Sequence, residues 1–119
     1  MSEAQPGPDD QPGPEDLKII TLARAARARV MATEGAAVRD ETGRTYAAAA
    51  VALPSLHLSA LHLAVAMAVS SGASSLEAAA LVNDDGPDPA DLAAVREAGP
   101  GAVVFFAAPD GTLKATLRP

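Results

Sequence analysis

Two histidines near the middle of the chain are the first candidates for chemistry, because imidazole is both a metal ligand and an acid–base group. His57 and His62 are five residues apart, which places them about 140° apart around a helix. They therefore cannot face one metal ion together, as an i, i+4 pair could. We predict that both are ordinary helix residues that pair with backbone, solvent or a subunit contact.

Four aspartates and one serine are the remaining candidates. Asp84, Asp85, Asp88 and Asp91 form an acidic stretch, and carboxylates are ligands for hard cations such as calcium or magnesium. Capping of a helix, with Asp88 as the N-cap and Asp91 in its first turn, explains them without a metal. Ser59 has no evident histidine and acid partner that would make it a nucleophile, so we interpret it as a small packing residue. The sequence predicts no metal and no cofactor.

Composition restricts the class of protein. The 119 residues are 49% hydrophobic, which fits one globular domain, and the chain has no cysteine for disulfides or thiolate metal sites. A net charge of −6 disfavours binding to nucleic acid, which needs clustered Lys and Arg. No signal segment or membrane span is evident, so we expect a cytoplasmic protein without membrane contact. Many alanines and arginines beside two lysines suggest a bacterial source.

The segment 45–72 is the centre of the predicted fold. It is interpreted as a buried strand followed by a helix, Ser55 to Ser71, that begins after Pro54 and ends at Gly72. Apolar side chains surround this helix, so it must be covered on all sides. In so small a chain, that cover predicts a homodimer or homotetramer. The candidate contact residues are Leu56, Leu63 and Met67.

The other elements follow from periodicity and turn residues. Residues 1–14 are rich in Pro, Gly and acid and are predicted to be a disordered tail, followed by one domain, 15–119. The predicted helices are 15–33, 55–71 and 89–98, and the predicted strands are 35–39, 44–51, 76–82, 102–108 and 112–117. The order αββαβαββ predicts an α/β protein with a five-stranded mixed sheet covered by helices on both faces.

Several strings in this order resemble the small oligomeric cytidine deaminases and the related blasticidin deaminases. "GAAV" followed by "DETGRTYAA" resembles the first hairpin of that family, and "AVAMAVSSGAS" is similar to the end of its first active-site helix. "AVVFFAAPDGTLKATLRP" resembles its last two strands. The resemblance implies a three-layer αβα sandwich, with helices gathered at subunit contacts.

The resemblance also implies where the chemistry of the family would lie. Those deaminases bind zinc with three ligands at two helix starts and use a glutamate as proton shuttle. The matching ligand positions carry Ser59, Asp88 and Asp91, and the proton-shuttle position carries Leu61. The family's sugar-binding positions carry Ala50 and Ala52.

These replacements together predict a pseudoenzyme: a cytidine deaminase-like protein that lacks catalysis and acts as an oligomeric interaction or structural module. The alternative is a hydrolase or nucleoside-binding protein that has kept a pocket and changed its chemistry.

Overall fold

The computed structural model describes residues 11–119, so most of the predicted tail, 1–14, lies outside the described residues. Three helices are present in this part of the chain: α1 (Pro14–Arg29), α2 (Ala60–Ser70) and α3 (Pro89–Ala98). The strands are β1 (Gly35–Asp40), β2 (Thr45–Ala49), β3 (Val51–Leu53), β4 (Leu56–Leu58), β5 (Leu76–Val82), β6 (Val103–Ala107) and β7 (Leu113–Leu117).

Five of the strands form one mixed sheet in the order β2-β1-β5-β6-β7. β5 and β6 are parallel, whereas the pairs β1–β2, β1–β5 and β6–β7 are antiparallel. Parallel neighbours require a crossover, and α3 supplies it between β5 and β6. The predicted mixed five-stranded sheet is confirmed.

Helices cover both faces of the sheet, which confirms the three-layer αβα architecture. On one face, Ile19, Ile20 and Ala23 of α1 pack against alternate sheet residues such as Ala37 and Ala80. The residues between them face α2 and α3 on the other side, because successive side chains of a strand point to opposite faces. That second core contains the following buried residues: Ala36, Val38, Ala60, Leu61, Ala64, Val65, Ala79, Leu81, Val95 and Val104.

The predicted start of the central helix at Ser55 is wrong. A small antiparallel hairpin of β3 and β4 precedes α2, and its register pairs Leu53 with Leu56. Pro54 and Ser55 therefore form its two-residue loop. The fixed φ of proline suits a turn as well as the first turn of a helix, so Pro54 was a correct boundary assigned to the wrong element. The true N-cap is Ser59, whose Oγ accepts a hydrogen bond from the His62 backbone amide at 3.1 Å.

Other predicted boundaries also differ. Helix α1 begins at Pro14 and ends at Arg29, four residues before the predicted end. The long second strand, 44–51, is divided into β2 and β3 by a break at Ala50. Val30 falls inside the predicted helix 15–33, but it lies at the C-cap of α1 and is 60% exposed.

Two glycines are required where backbones pass each other closely. A Cβ on Gly35 would overlap the carbonyl oxygen of Ala23 in α1. A Cβ on Gly99 would lie 2.5 Å from the carbonyl oxygen of Leu76. Gly99 directly follows the predicted helix 89–98, a position that favours a left-handed glycine, but its φ is −148°. Close packing of the end of α3 on the start of β5 therefore explains this glycine better than turn geometry.

The β1–β2 turn contains a buried carboxylate that organises the hairpin. Asp40 Oδ1 accepts hydrogen bonds from the Thr42 hydroxyl (2.7 Å), the Thr42 amide and the Arg44 amide, and Oδ2 accepts one from the Tyr46 hydroxyl (2.9 Å). These bonds, with that from the Thr42 hydroxyl the strongest, lower the pKa of Asp40 to about 2. Gly43 has a φ of +90°, a conformation that a tight hairpin turn favours in glycine.

None of the helices within residues 11–119 is long and apolar enough to cross a membrane.

Candidate functional site

The starts of α2 and α3 meet beside the sheet, and a side-chain hydrogen bond joins them. Ser59 Oγ donates to Asp91 Oδ1 at 2.7 Å, across 32 residues of sequence. The same Oγ accepts from the His62 backbone amide. The hydroxyl therefore caps α2 and binds the carboxylate of α3 at the same time. Ser59 and Asp91 were predicted to occupy corresponding positions at two helix starts, and the structure brings them together.

His62 makes the second link between these helices. Its Nε2 lies 3.0 Å from the backbone carbonyl of Ala90 and 3.4 Å from Asp91 Oδ1. A carbonyl oxygen only accepts, so Nε2 carries the proton and donates it. The prediction that His62 pairs with backbone is confirmed. Its proximity to Asp91 was missed, because sequence spacing within one helix says nothing about a neighbour on another.

The side chains of Asp88 and Asp91 were predicted to cap α3, but neither does so. Asp88 is the N-cap by backbone conformation, but its carboxylate makes no capping hydrogen bond. The Asp91 carboxylate is 5% exposed and accepts from Ser59. A buried carboxylate needs a hydrogen-bonding partner, and here the Ser59 hydroxyl supplies it.

Ser59 thus has an acid and a histidine nearby and caps α2, so its interpretation as a small packing residue is wrong. The arrangement still differs from a catalytic triad, in which the imidazole lies between the hydroxyl and the acid. Here the carboxylate of Asp91 lies between Ser59 and His62. The imidazole is therefore not placed to take the proton of the serine hydroxyl.

Leu61 lies next to this polar cluster in sequence but inside the core. Its side chain is fully buried within the α2–α3 side of the sheet, in the same cluster as Ala36, Val38, Leu81 and Val104. A side chain in this position contacts the sheet. It contributes packing to the site and no polar group.

Glu34 is a site residue that the sequence analysis missed. Its Oε2 accepts from the Ala60 amide in the first turn of α2 at 3.0 Å, and its Oε1 accepts from Asn83 Nδ2 at 3.1 Å. A carboxylate at a helix start is favoured by the helix dipole. Asn83 in turn accepts from the Gly86 amide at 2.7 Å, so Glu34 connects α2 to the loop that leads into α3. A single glutamate between a helix and a strand gave no signal for this role.

The β3–β4 hairpin carries the other predicted site residues. Ala50 is partly buried and precedes β3, and Ala52 is exposed and pairs with His57 of β4. His57 is therefore an exposed strand residue, and its predicted place on a helix is wrong. The structure does not bring it into contact with the Ser59–Asp91 pair.

One side of α2 remains exposed, although the helix was predicted to be covered on all sides. Met67 is 36% exposed and Val69 54% exposed. A groove of about 390 Å³ runs along this side. We call it the α2 groove, and its lining residues are Tyr46, Leu63, Ala66, Met67, Ser70 and Ser71.

The polar groups at the two helix starts do not suit a zinc ion. Zinc sites in proteins use thiolates, imidazoles and carboxylates, usually four in a tetrahedron. Ser59 is a neutral hydroxyl, already hydrogen-bonded to the one buried carboxylate. Within residues 11–119, no three His, Asp or Glu side chains are grouped so that they could hold a metal.

Comparisons with known proteins agree with this architecture. The solved cytidine deaminase from Burkholderia pseudomallei superposes with a TM-score of 0.72 at 22% identity, covering 85% of this chain and 90% of the other. The cytidine deaminase from Mycobacterium leprae gives a TM-score of 0.62 at 20% identity, covering 82% and 89%. A mutant cytidine deaminase from Mycobacterium tuberculosis gives 0.61 at 23% identity, covering 73% and 81%. These likenesses establish the fold.

No curated protein sequence matches the chain. A family model described as "Cytidine deaminase-like" matches residues 12–111, which is most of the sequence. The protein therefore belongs to the cytidine deaminase-like family.

Proposed function

We propose that this protein is a catalytically inactive member of its family that works as an oligomeric interaction or structural module. The observation that carries the proposal is the full burial of Leu61 at the position that the resemblance assigns to the proton shuttle. A deaminase needs a carboxylate there, beside the metal-activated water. Leucine cannot transfer a proton, and loss of a general acid–base commonly costs about 10²- to 10⁴-fold in rate.

The positions of the zinc ligands support the same proposal. Two of them, Ser59 and Asp91, are engaged with each other at 2.7 Å. The third, Asp88, is exposed. One neutral hydroxyl and two carboxylates form a much weaker zinc site than thiolates do. Ala50 and Ala52, at the sugar-binding positions, offer no hydrogen bond from a side chain.

The α2 groove supports the proposed assembly. Leu63, Ala66 and Met67 present an apolar strip on a helix whose other side is fully packed. Apolar patches on a surface often mark interaction sites. We propose that a second copy of the chain covers this strip about a two-fold axis. Leu56, 47% exposed on the hairpin, is a further candidate contact.

The extent of the domain, 15–119, and a cytoplasmic location in a bacterium remain predictions from the sequence.

Catalytic inactivity is tested on protein purified without added metal. We expect substoichiometric zinc by metal analysis and no release of ammonia from cytidine. Stoichiometric zinc, together with ammonia release that a chelator abolishes, would overturn the proposal. In the reverse test, Ser59→Cys, Asp88→Cys and Asp91→Cys together should create zinc binding if the aligned positions are correct. A thermal-shift screen with nucleosides tests the alternative of a nucleoside-binding protein, since a ligand of the folded state raises the midpoint.

Assembly is tested by light scattering at micromolar concentration. Wild-type protein should give the mass of a dimer or tetramer, and Met67→Glu should give a monomer, because it places a charge in the apolar strip. Leu17→Glu is the matched control, since Leu17 is 53% exposed on α1 at the opposite face of the sheet. A monomeric wild-type protein, or equal masses for both variants, would contradict the proposed interface.

A further inference from the structure

We propose that Ser59, Asp91 and His62 form a metal-free latch that fastens the start of α2 to the start of α3. We call these three residues the α2–α3 latch. The resemblance puts the zinc of the family between the same two helix starts, so here hydrogen bonds would make the connection that a metal makes elsewhere. The inference rests on the proposed absence of zinc.

The latch consists of two adjoining contacts. Ser59 Oγ donates to Asp91 Oδ1 at 2.7 Å, a distance typical of a strong hydrogen bond to a charged acceptor. His62 Nε2 donates to the Ala90 carbonyl at 3.0 Å and lies 3.4 Å from the same Asp91 oxygen. Each contact joins residues of α2 or its N-cap to residues in the first turn of α3. Together they fix the two helix starts relative to each other.

Helix α3 has little other attachment, which makes the latch important. Its only fully buried residues are Asp91 and Val95. Val95 packs in the core beside α2 and the sheet, with Leu92 and Ala98 partly buried around it. In the N-terminal half of α3, the Asp91 carboxylate is therefore the most buried side chain, and Leu92 adds a partly buried apolar contact.

A carboxylate is a costly group to bury unless it is hydrogen-bonded. Asp91 is the most buried charged side chain at either helix start, at 5% exposure, whereas Asp88 three residues earlier is exposed. A carboxylate serving only the dipole of α3 could remain in water. Its burial against Ser59 indicates that the Asp91 carboxylate links the two helices.

The test is a double-mutant cycle on the full chain at one protein concentration. Ser59→Ala, Asp91→Ala and the double variant are compared with wild type by urea unfolding. Deleting a hydrogen bond to a charged group should lower the folded-to-unfolded ratio by about ten- to a hundredfold. The effect of the double variant should differ from the product of the two single-variant effects by a coupling factor of about five- to tenfold.

Ser59→Ala also removes the cap of α2, but this loss is common to both arms of the cycle and cancels. Asp88→Ala is the matched control for Asp91→Ala, because its carboxylate caps nothing. Ser59→Ala and Asp88→Ala should combine without coupling. A factor of about two or less between Ser59 and Asp91 means independent residues and overturns the latch. A larger factor for that pair alone supports it.

If Asp91→Ala does not fold, the cycle is repeated with Asp91→Leu, which is branched at Cγ like aspartate and has no oxygen to accept from Ser59. The same threshold then applies. Zinc content and ammonia release are measured on the same preparations. Stoichiometric zinc with activity would overturn both the proposed function and the metal-free latch. Ammonia release without zinc would overturn the proposed function alone, and absent coupling without zinc or activity would overturn the latch alone.

Discussion

The variant Leu61→Ala tests whether Leu61 is a packed core residue or lines an active-site cleft. Leu61 is completely buried between α2 and the sheet. Shortening leucine to alanine removes three buried carbons, each worth about 0.8 kcal/mol of transfer free energy. That gives about 2.4 kcal/mol before any cavity is counted.

A cavity adds to this cost when the neighbours cannot collapse into it. The buried cluster that contains Leu61 also contains Ala36, Ala64 and Ala79, which have no rotamers to change and lie on α2 and on the interior strands β1 and β5. We therefore expect the free energy of unfolding to fall by about 3–4 kcal/mol, within the range of about 2–5 kcal/mol found for buried Leu→Ala changes.

Urea unfolding followed by circular dichroism measures this loss, with all variants at one protein concentration because assembly contributes to stability. Leu53→Ala is the control, since Leu53 is 56% exposed on the hairpin, and it should change the free energy by less than about 0.5 kcal/mol. If Leu61→Ala cost no more than Leu53→Ala, Leu61 would not be a packed core residue, and its burial would no longer support the proposed function.

Three further variants test other parts of the structure. Gly35→Ala should lower the free energy of unfolding by about 1–3 kcal/mol, because the added Cβ meets the backbone of α1. Gly101→Ala is the control and should be nearly neutral, because its Cβ meets nothing within 4 Å. Equal thermal midpoints for the two variants would refute this prediction. The pKa of Asp40 is lowered from 3.8 to about 2, so its contribution to stability is present above pH 4 and is lost as the pH falls towards 2. Asp40→Asn should therefore weaken the dependence of the free energy of unfolding on pH between 4 and 2. An unchanged pH dependence would contradict this prediction. Glu34→Gln should lower the free energy of urea unfolding by about 1–3 kcal/mol. Both carboxylate oxygens of Glu34 accept from N–H donors, and the amide nitrogen of glutamine would face one of these donors. A neutral effect would show that these hydrogen bonds are dispensable.

Most of the fold was predictable because its signals are local. The buried strand 76–82 and the helix 89–98 were predicted with their observed bounds, since apolar runs between turn residues define such elements. Gly43 and Gly111 have φ values of +90° and +94°, as their turns required. The β3–β4 hairpin was missed because its strands have three residues each, too few to show a period of two.

The candidate site was predictable only in part. Local sequence placed Asp91 in the first turn of a helix, whereas only the resemblance placed Ser59 at another helix start and brought the two starts together. Nothing local shows that a carboxylate will accept from a hydroxyl 32 positions away rather than cap its own helix. Glu34 was missed for the same reason, because both its partners belong to other elements.

The alanines at the centre of the sheet have a thermodynamic consequence of their own. Ala36, Ala37, Ala78, Ala79 and Ala80 are all fully buried on the two central strands. An alanine side chain has no rotameric freedom to lose on folding, whereas a buried leucine loses about 0.5–1 kcal/mol of it. This core gains less from burial than a core of larger residues, but it also gives up less entropy when it orders. Enlarging these side chains would therefore add an entropic cost as well as crowding between the two helical layers.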